Sequence, residues 1–237
     1  MATRFALAHD GAFCEDWNDL DSRAGARDRV RGRTVGRLAS ANAHDIAEEE
    51  RLRADVYALL AGVLRAPVGS EALSRLGALI GDESDIGQAL DALAAAARRF
   101  SVEGAEREYH ELFIGLGRGE VSPFGSYYLT GFLYEKPLAQ LRQDMATIGI
   151  GRSEANREPE DHIAALCEMM AGMILGAFGE PVSLERQKKF FDAHVGSWAS
   201  KFFTDLEKAP SAALYMPVGR LGRLFMAIET QAFQMAA

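Results

Sequence analysis

Residues 158–162, Glu-Pro-Glu-Asp-His, set three carboxylates and an imidazole directly ahead of the apolar run Ile-Ala-Ala-Leu-Cys-Glu-Met-Met. Such a group could ligate a metal, exchange protons, start a helix or form one wall of a binding site. Metal ligation on helices uses Glu-x-x-His, because residues three apart face the same way. The residues three before His110, His162 and His194 are Arg107, Pro159 and Phe191, so that spacing is missing at all three. His-Glu-x-x-His is absent too, and a carboxylate-rich helical metal-binding protein stays only as the alternative reading. Nucleophilic catalysis has no better support. There is no Gly-x-Ser-x-Gly, and Cys167 lies between Leu166 and Glu168 in a mostly apolar segment, where a cysteine acts as a small hydrophobe. His194, in Phe-Phe-Asp-Ala-His-Val, reads as a partly buried helix residue rather than a base. The chain reads as a protein without catalytic turnover.

A helix start explains part of the motif. Pro159 suits the first helical position, and Glu160 and Asp161 suit the positive end of the helix dipole. It does not explain His162, whose cation is disfavoured there. The second candidate is residues 121–132, Val-Ser-Pro-Phe-Gly-Ser-Tyr-Tyr-Leu-Thr-Gly-Phe, which should expose Phe124, Tyr127, Tyr128 and Phe132 among glycines and a proline. Aromatics in such a loop either plug a local core or line an apolar groove for a peptide, with carboxylates at its rim.

Helices must position these residues. Leu52, Val56, Leu59, Leu60 and Val63 make one helical stripe, ended by Pro67 and Gly69. A short helix with Leu73, Leu76 and Ile80 follows, closed by Gly81, and then an alanine-rich helix over 86–100. Ala105, Tyr109, Leu112, Phe113 and Leu116 form the next stripe, and residues 115–126, with four glycines and a proline, the longest internal loop. Pro137 fits the start of a helix bearing Leu138, Leu141, Met145 and Ile148. Further helices are predicted over about 159–178, over 184–209 behind a Ser183 cap, and from near Pro217 with Leu221, Leu224, Phe225 and Ile228. No alternating β-branched run, Gly-x-Gly-x-x-Gly or Walker sequence occurs. The expectation is an all-α fold, a single globular multi-helix bundle of roughly eight to ten helices over residues 45–237. Residues 1–44 carry seven arginines among acids and glycines with no apolar period, and are expected to be a disordered N-terminal extension.

Composition narrows the partners. The net charge of −8 argues against nucleic acid and suits a cationic partner. Two cysteines, Cys14 and Cys167, rule out a disulfide framework and a thiolate zinc site. No apolar run is long enough to span a bilayer and no secretory h-region is visible, so a cytoplasmic protein without stable membrane insertion is expected.

Four blocks in order, residues 108–128 (EYHELFIGLGRGEVSPFGSYY), 138–150 (LAQLRQDMATIGI), 158–166 (EPEDHIAAL) and 190–203 (FFDAHVGSWASKFF), resemble the TorD/DmsD family of redox-enzyme maturation chaperones. The resemblance covers about residues 46–230. It implies an all-α TorD-like chaperone, not an enzyme, that binds the catalytic subunit of a molybdopterin oxidoreductase, and often its twin-arginine signal peptide, until cofactor is inserted. It further implies that client binding falls on Leu112 and Phe113, on Pro123, Phe124 and Tyr128 of the loop, and on Glu158, Asp161 and His162. Some members carry tryptophan where this chain has Phe124 and Tyr128. A twin-arginine leader joins two guanidinium groups to an apolar stretch, so a receptor needs rim carboxylates beside an apolar groove. Asp161 is then expected to pair with an arginine and His162 to act as a neutral hydrogen-bond partner. Residues 115–120 with 128–138 look most like members that accompany formate dehydrogenases. No resident cofactor is implied, only transient contact with the client's molybdenum cofactor. Guanine nucleotide binding, suggested for some relatives, has no phosphate-binding loop to serve it here. A monomer or a domain-swapped dimer would suit such a fold.

Overall fold

The computed structural model describes residues 46–151 and 158–236, so the expectation for residues 1–44 lies outside the described residues. Among those described there are ten α-helices and no strand. In order they are α1 (Glu48–Arg65), α2 (Ser70–Gly77), α3 (Asp85–Ala97), α4 (Val102–Tyr109), α5 (Gly125–Thr130), α6 (Lys136–Thr147), α7 (Ile163–Leu175), α8 (Leu184–His194), α9 (Ala199–Lys208) and α10 (Tyr215–Met235). A π-helical turn, His110–Ile114, continues α4. The all-α expectation holds.

The centre is α7 packed along α1. Every residue of α7 from Ile163 to Ile174 is buried except Glu168, as an all-round apolar helix demands. Cys167 sits within it with no exposure, and burial raises its thiol well above the ordinary range. It is the inert hydrophobe that its neighbours suggested. Helix α10 packs along α9 and α3 and is tied to α1 by a buried polar knot. There Arg53 donates to both oxygens of Glu229 at 2.8 Å, and the Tyr57 hydroxyl donates to Oε2 at 2.9 Å. A second buried carboxylate, Glu108 of α4, accepts the backbone N–H groups of Ala213, Leu214 and Tyr215 at 2.8–3.0 Å. It satisfies donors that the start of α10 would otherwise leave orphaned. No helix among the described residues is long and apolar enough to cross a membrane.

Several predicted boundaries shift. The stripe through Leu112 ends with the π turn at Gly115, and Leu116 is fully exposed. Helix α2 stops at Gly77, leaving Ile80 outside it and exposed. Residues 125–130, expected as loop, form α5. The single helix predicted over 184–209 is two, α8 and α9, separated by a turn at residues 195–198. Gly196 offers weak helical preference there, and Phe191 O accepts from both Val195 N (2.9 Å) and Gly196 N (2.7 Å) to wind the chain out of α8. The turn carries Trp198 into the interior, where its indole N–H donates to His194 O at 2.7 Å.

Candidate functional site

The π turn feeds a tight loop. Gly115 has φ of +62° and lies so close to the returning chain that a Cβ would sit 2.1 Å from Arg118 O. Only glycine makes that turn. The chain then runs back beside the π turn, with Val121 N donating to Leu112 O at 2.9 Å. Val121 and Pro123 are buried, and at Phe124 the chain meets the residues ahead of α7.

That meeting is an isolated antiparallel bridge between Phe124 and His162. Ile163 N donates to Pro123 O at 2.8 Å and Gly125 N donates to Asp161 O at 2.9 Å. The Asp161 carboxylate adds a side-chain clasp, its Oδ2 accepting Ser126 N at 2.7 Å in the first turn of α5. Pro159 therefore does not start a helix, and the expectation that Glu158–His162 form the first turn of α7 is corrected. Pairing to a segment some thirty-five residues away holds these residues extended or turned, and α7 begins at Ile163. His162 is its cap, with φ −64° and ψ 135°, and its Nδ1 accepts Ala164 N at 3.1 Å. Its ring meets Phe124 edge-to-face at 5.2 Å.

Each charge in this motif has a distinct setting. His162 is 4% exposed, and burial, with the Arg65 charge adding to it, pushes the imidazole down to about 4. It is neutral at physiological pH, with the proton on Nε2 because Nδ1 accepts. The Glu158 carboxylate lies 3.7 Å from that Nε2 and is half exposed; partial burial raises its pKa, against the pull of Arg65. Arg65 itself pairs with Glu168, its Nε donating to Oε1 at 2.7 Å. Glu160 is buried and accepts from Arg142 of α6, at 2.9 Å from Nε and 2.8 Å from Nη2. Asp161 is 4% exposed, and its Oδ1, like the Ser126 hydroxyl, is buried with no hydrogen-bond partner among the described residues. Among the described residues no three His, Cys, Asp or Glu side chains converge to hold a metal ion, so the metal-binding alternative finds no ligand set there.

The aromatic residues divide between two surroundings. Phe124 is half-buried against His162. Tyr128, on the next turn of α5, stacks on Trp198 at 5.4 Å and donates its hydroxyl to Asp205 of α9 at 3.0 Å. Gly125 permits this approach, since a Cβ there would lie 2.9 Å from the Trp198 indole. Tyr127 is half-buried beside the Arg118 guanidinium, which stands 4.7 Å from its ring centroid. The expected exposure of Phe124, Tyr127 and Tyr128 is thus corrected to half-burial, because α5 lays them on the bundle. Phe132 is exposed as expected, and Leu129, Leu133 and Tyr134 are exposed with it. Leu112 has no exposure and belongs to the core; Phe113 is half-buried between Tyr109 (4.9 Å) and Tyr215 (5.5 Å). The Tyr109 hydroxyl, donating to Arg65 O at 3.1 Å, is pushed up to about 12 by burial and by the charge of Glu158. The geometry unites Pro123, Phe124, Asp161 and His162 with Glu158 alongside, and sets Tyr128 on a separate packing against α9. Arg142, Ser126 and Trp198 were missed by sequence reasoning. Only the Gly196 interruption before Trp198 gave any local signal.

The site thus joins a neutral capped histidine, an aromatic ring and shielded carboxylates on an all-helical frame. Residues 81–204, more than half the chain, match the family model described as nitrate reductase delta subunit. The chain belongs to that family, which is the TorD/DmsD family of redox-enzyme maturation chaperones. It is 23% identical to the chaperone protein TorD of Vibrio atlanticus over 76% of this chain and 93% of that one. It is 28% identical to the Tat proofreading chaperone DmsD of Salmonella typhimurium over 74% of this chain and 90% of that one. A solved structure from Archaeoglobus fulgidus, described as a redox enzyme maturation protein, shares the fold with a TM-score of 0.50 at 18% identity, covering 85% of this chain and 99% of that chain. The named relatives are chaperones, in agreement with the non-catalytic reading.

Proposed function

We propose that this protein is a cytoplasmic chaperone for the catalytic subunit of a molybdopterin oxidoreductase, binding the apo-subunit through the wall built by residues 123–128 and 158–162. The carrying observation is the bridge that locks Phe124 against His162 and so makes one surface of two distant sequence blocks. Directly after it come four exposed apolar side chains, Leu129, Phe132, Leu133 and Tyr134, an apolar run of the kind that marks a peptide-binding surface. Half-exposed Glu158 adds polar complement for a client donor. The similarity to a Tat proofreading chaperone supports a twin-arginine signal peptide as one bound element. Formate dehydrogenase is the client suggested by residues 115–120 and 128–138. The chaperone itself holds no cofactor in this proposal and meets the molybdenum cofactor only through the client.

The test is affinity purification of the full chain from its native cells, followed by identification of the co-purified subunit. A molybdoenzyme catalytic subunit is expected, and its molybdenum content should fall in cells carrying Phe124→Ala with His162→Ala at matched chaperone level. Full loading of every molybdoenzyme in those cells would overturn the proposal. A molybdoenzyme other than formate dehydrogenase would overturn only the client assignment.

A further inference from the structure

We infer that the N-terminal segment of this chain is an arm, and that its apolar residues Phe13, Trp17 and Leu20 dock in a groove between the first half of α1 and the last half of α10. The groove lies at the far end of α1 from Arg65, the residue whose charge acts on His162 of the client wall. Docking there does not depend on the client reading.

The groove follows from the way two long helices meet and then outrun their cover. Helices α1 and α10 run antiparallel, since Arg53 meets Glu229, Tyr57 meets Phe225 at 4.7 Å, and the Tyr215 hydroxyl donates to Val63 O at 3.2 Å. Beside that contact α1 carries the row Leu52, Val56, Leu59 and Val63 at helical spacing. On α10 the matching row is Leu221, Leu224, Ile228, Ala232 and Met235. The antiparallel arrangement of two right-handed helices puts both rows on the same side of the pair. Burial fades along both in one direction. Leu59 and Val63 are buried, whereas Val56 and Leu52 are only partly so. Leu221 has no exposure and Leu224 is partly buried, but Ile228 is 50% and Met235 75% exposed. Helix α10, with 21 residues, simply extends past the 13-residue α3 packed on it. An apolar strip without cover is left at that end.

The chain itself arrives there. Ile46, where the described residues begin, stands ahead of α1 at the end where α10 finishes. Between it and Trp17 lie twenty-eight residues, ample to lay Phe13, Trp17 and Leu20 along the two turns of α10 from Ile228 to Met235. A tethered segment acts at an effective concentration on the order of millimolar, an advantage over a second copy or a separate protein. Charge agrees with this course. Residues 22–44 hold six arginines and one aspartate, and the first turn of α1 that follows presents exposed Glu48 and Glu49. Composition alone favours an unfolded extension, but an uncovered apolar strip at its root gives its large side chains a place to bury.

The experiment uses the full chain, which has two tryptophans, Trp17 and the buried Trp198. Subtracting the emission of Trp17→Phe from that of wild type isolates Trp17. The difference spectrum should be blue-shifted and resist acrylamide. Ile228→Asp and, separately, Met235→Asp put a charge on exposed positions of the strip; each should make Trp17 red-shifted and freely quenched while the melt hardly moves. Amides of the last two turns of α10 should exchange about tenfold faster in Phe13→Ser with Trp17→Ser than in wild type. Should a strip variant melt early, this exchange comparison decides, because it leaves the strip intact. Trp17 freely quenched in wild type, Trp17 shielded but indifferent to both strip variants, or unchanged exchange in α10 each overturns the inference. So does shielding that vanishes on dilution together with a dimer seen by light scattering, which would assign the strip to a second copy.

Discussion

His162 should make the folded state sensitive to mild acid, and the size of the effect follows from its burial. The imidazole is 4% exposed, and its pKa falls from 6.5 to about 4, chiefly through burial and secondarily through the Arg65 charge. At pH between those values the unfolded chain binds a proton that the folded chain refuses. Stability is therefore complete above pH 6.5 and declines as the pH falls toward 4. At about 1.4 kcal/mol for each tenfold in proton affinity, the full gap is worth roughly 3 kcal/mol. Raised Glu158 acts in the opposite sense just above 4.5, because there the folded chain holds the proton more readily than the unfolded one. The variant that isolates His162 is His162→Asn. Its side-chain oxygen can still accept Ala164 N at the cap, and it has nothing to titrate. Urea unfolding of both proteins between about pH 7.5 and 4.5 supplies the comparison. Wild type should lose about 2–3 kcal/mol more than His162→Asn across that interval. Parallel profiles would show that His162 is protonated in the folded chain and would refute the assignment of a neutral ring.

Other consequences are equally direct. Glu108→Ala removes the acceptor for three backbone N–H groups at the start of α10 and should lower unfolding stability by roughly 3 kcal/mol, with Glu108→Gln, which keeps one oxygen, losing less. Phe124→Ala, at the half-buried ring against His162, should weaken client binding by about 1–3 kcal/mol in calorimetry; an unchanged affinity with a lowered melt would make it a packing residue only. Tyr128→Phe loses only the Asp205 hydrogen bond and should cost about 0.5–1.5 kcal/mol, whereas Tyr128→Ala also loses the Trp198 stack and should melt lower still. Gly125→Ala forces a Cβ against the Trp198 indole and should change the tryptophan emission spectrum as well as the melting temperature.

The helices were legible wherever burial repeats at helical spacing. The stripe of Leu59, Leu60 and Val63, and the all-round apolar character of α7, survive unchanged because local pattern and tertiary packing demand the same thing. The errors share one physical origin. Glu158–His162 satisfies every local rule for a helix start, yet a bridge to Phe124 and a clasp to Ser126 outcompete it, and neither partner is visible within a helical turn of sequence. The break between α8 and α9 rests on a single glycine in an otherwise helical pattern, and the gain that justifies it, Trp198 packed beneath α5, is again non-local. Residues 125–130 looked like loop because of the surrounding glycine and proline, although one of those glycines, Gly125, makes room for the tryptophan under the helix.

The same non-local pairing explains why a residue can matter to binding without being touched. Asp161 was expected to meet a client arginine, but one of its oxygens is committed to Ser126 N and its carboxylate is nearly closed to solvent. Neutralising it acts first on the frame: α5 loses the clasp at Ser126, while the backbone bonds that hold Phe124 opposite His162 remain. Glu160, one residue earlier, already holds a guanidinium that is itself half in water. Adjacent acids thus divide by partner, Asp161 holding the Ser126 amide and Glu160 the Arg142 guanidinium. A loss of client binding on Asp161→Ala would therefore carry a loosened α5 with it, visible as faster hydrogen exchange at Gly125 and Ser126. Glu160→Gln, which touches no atom of that clasp, should leave those amides protected.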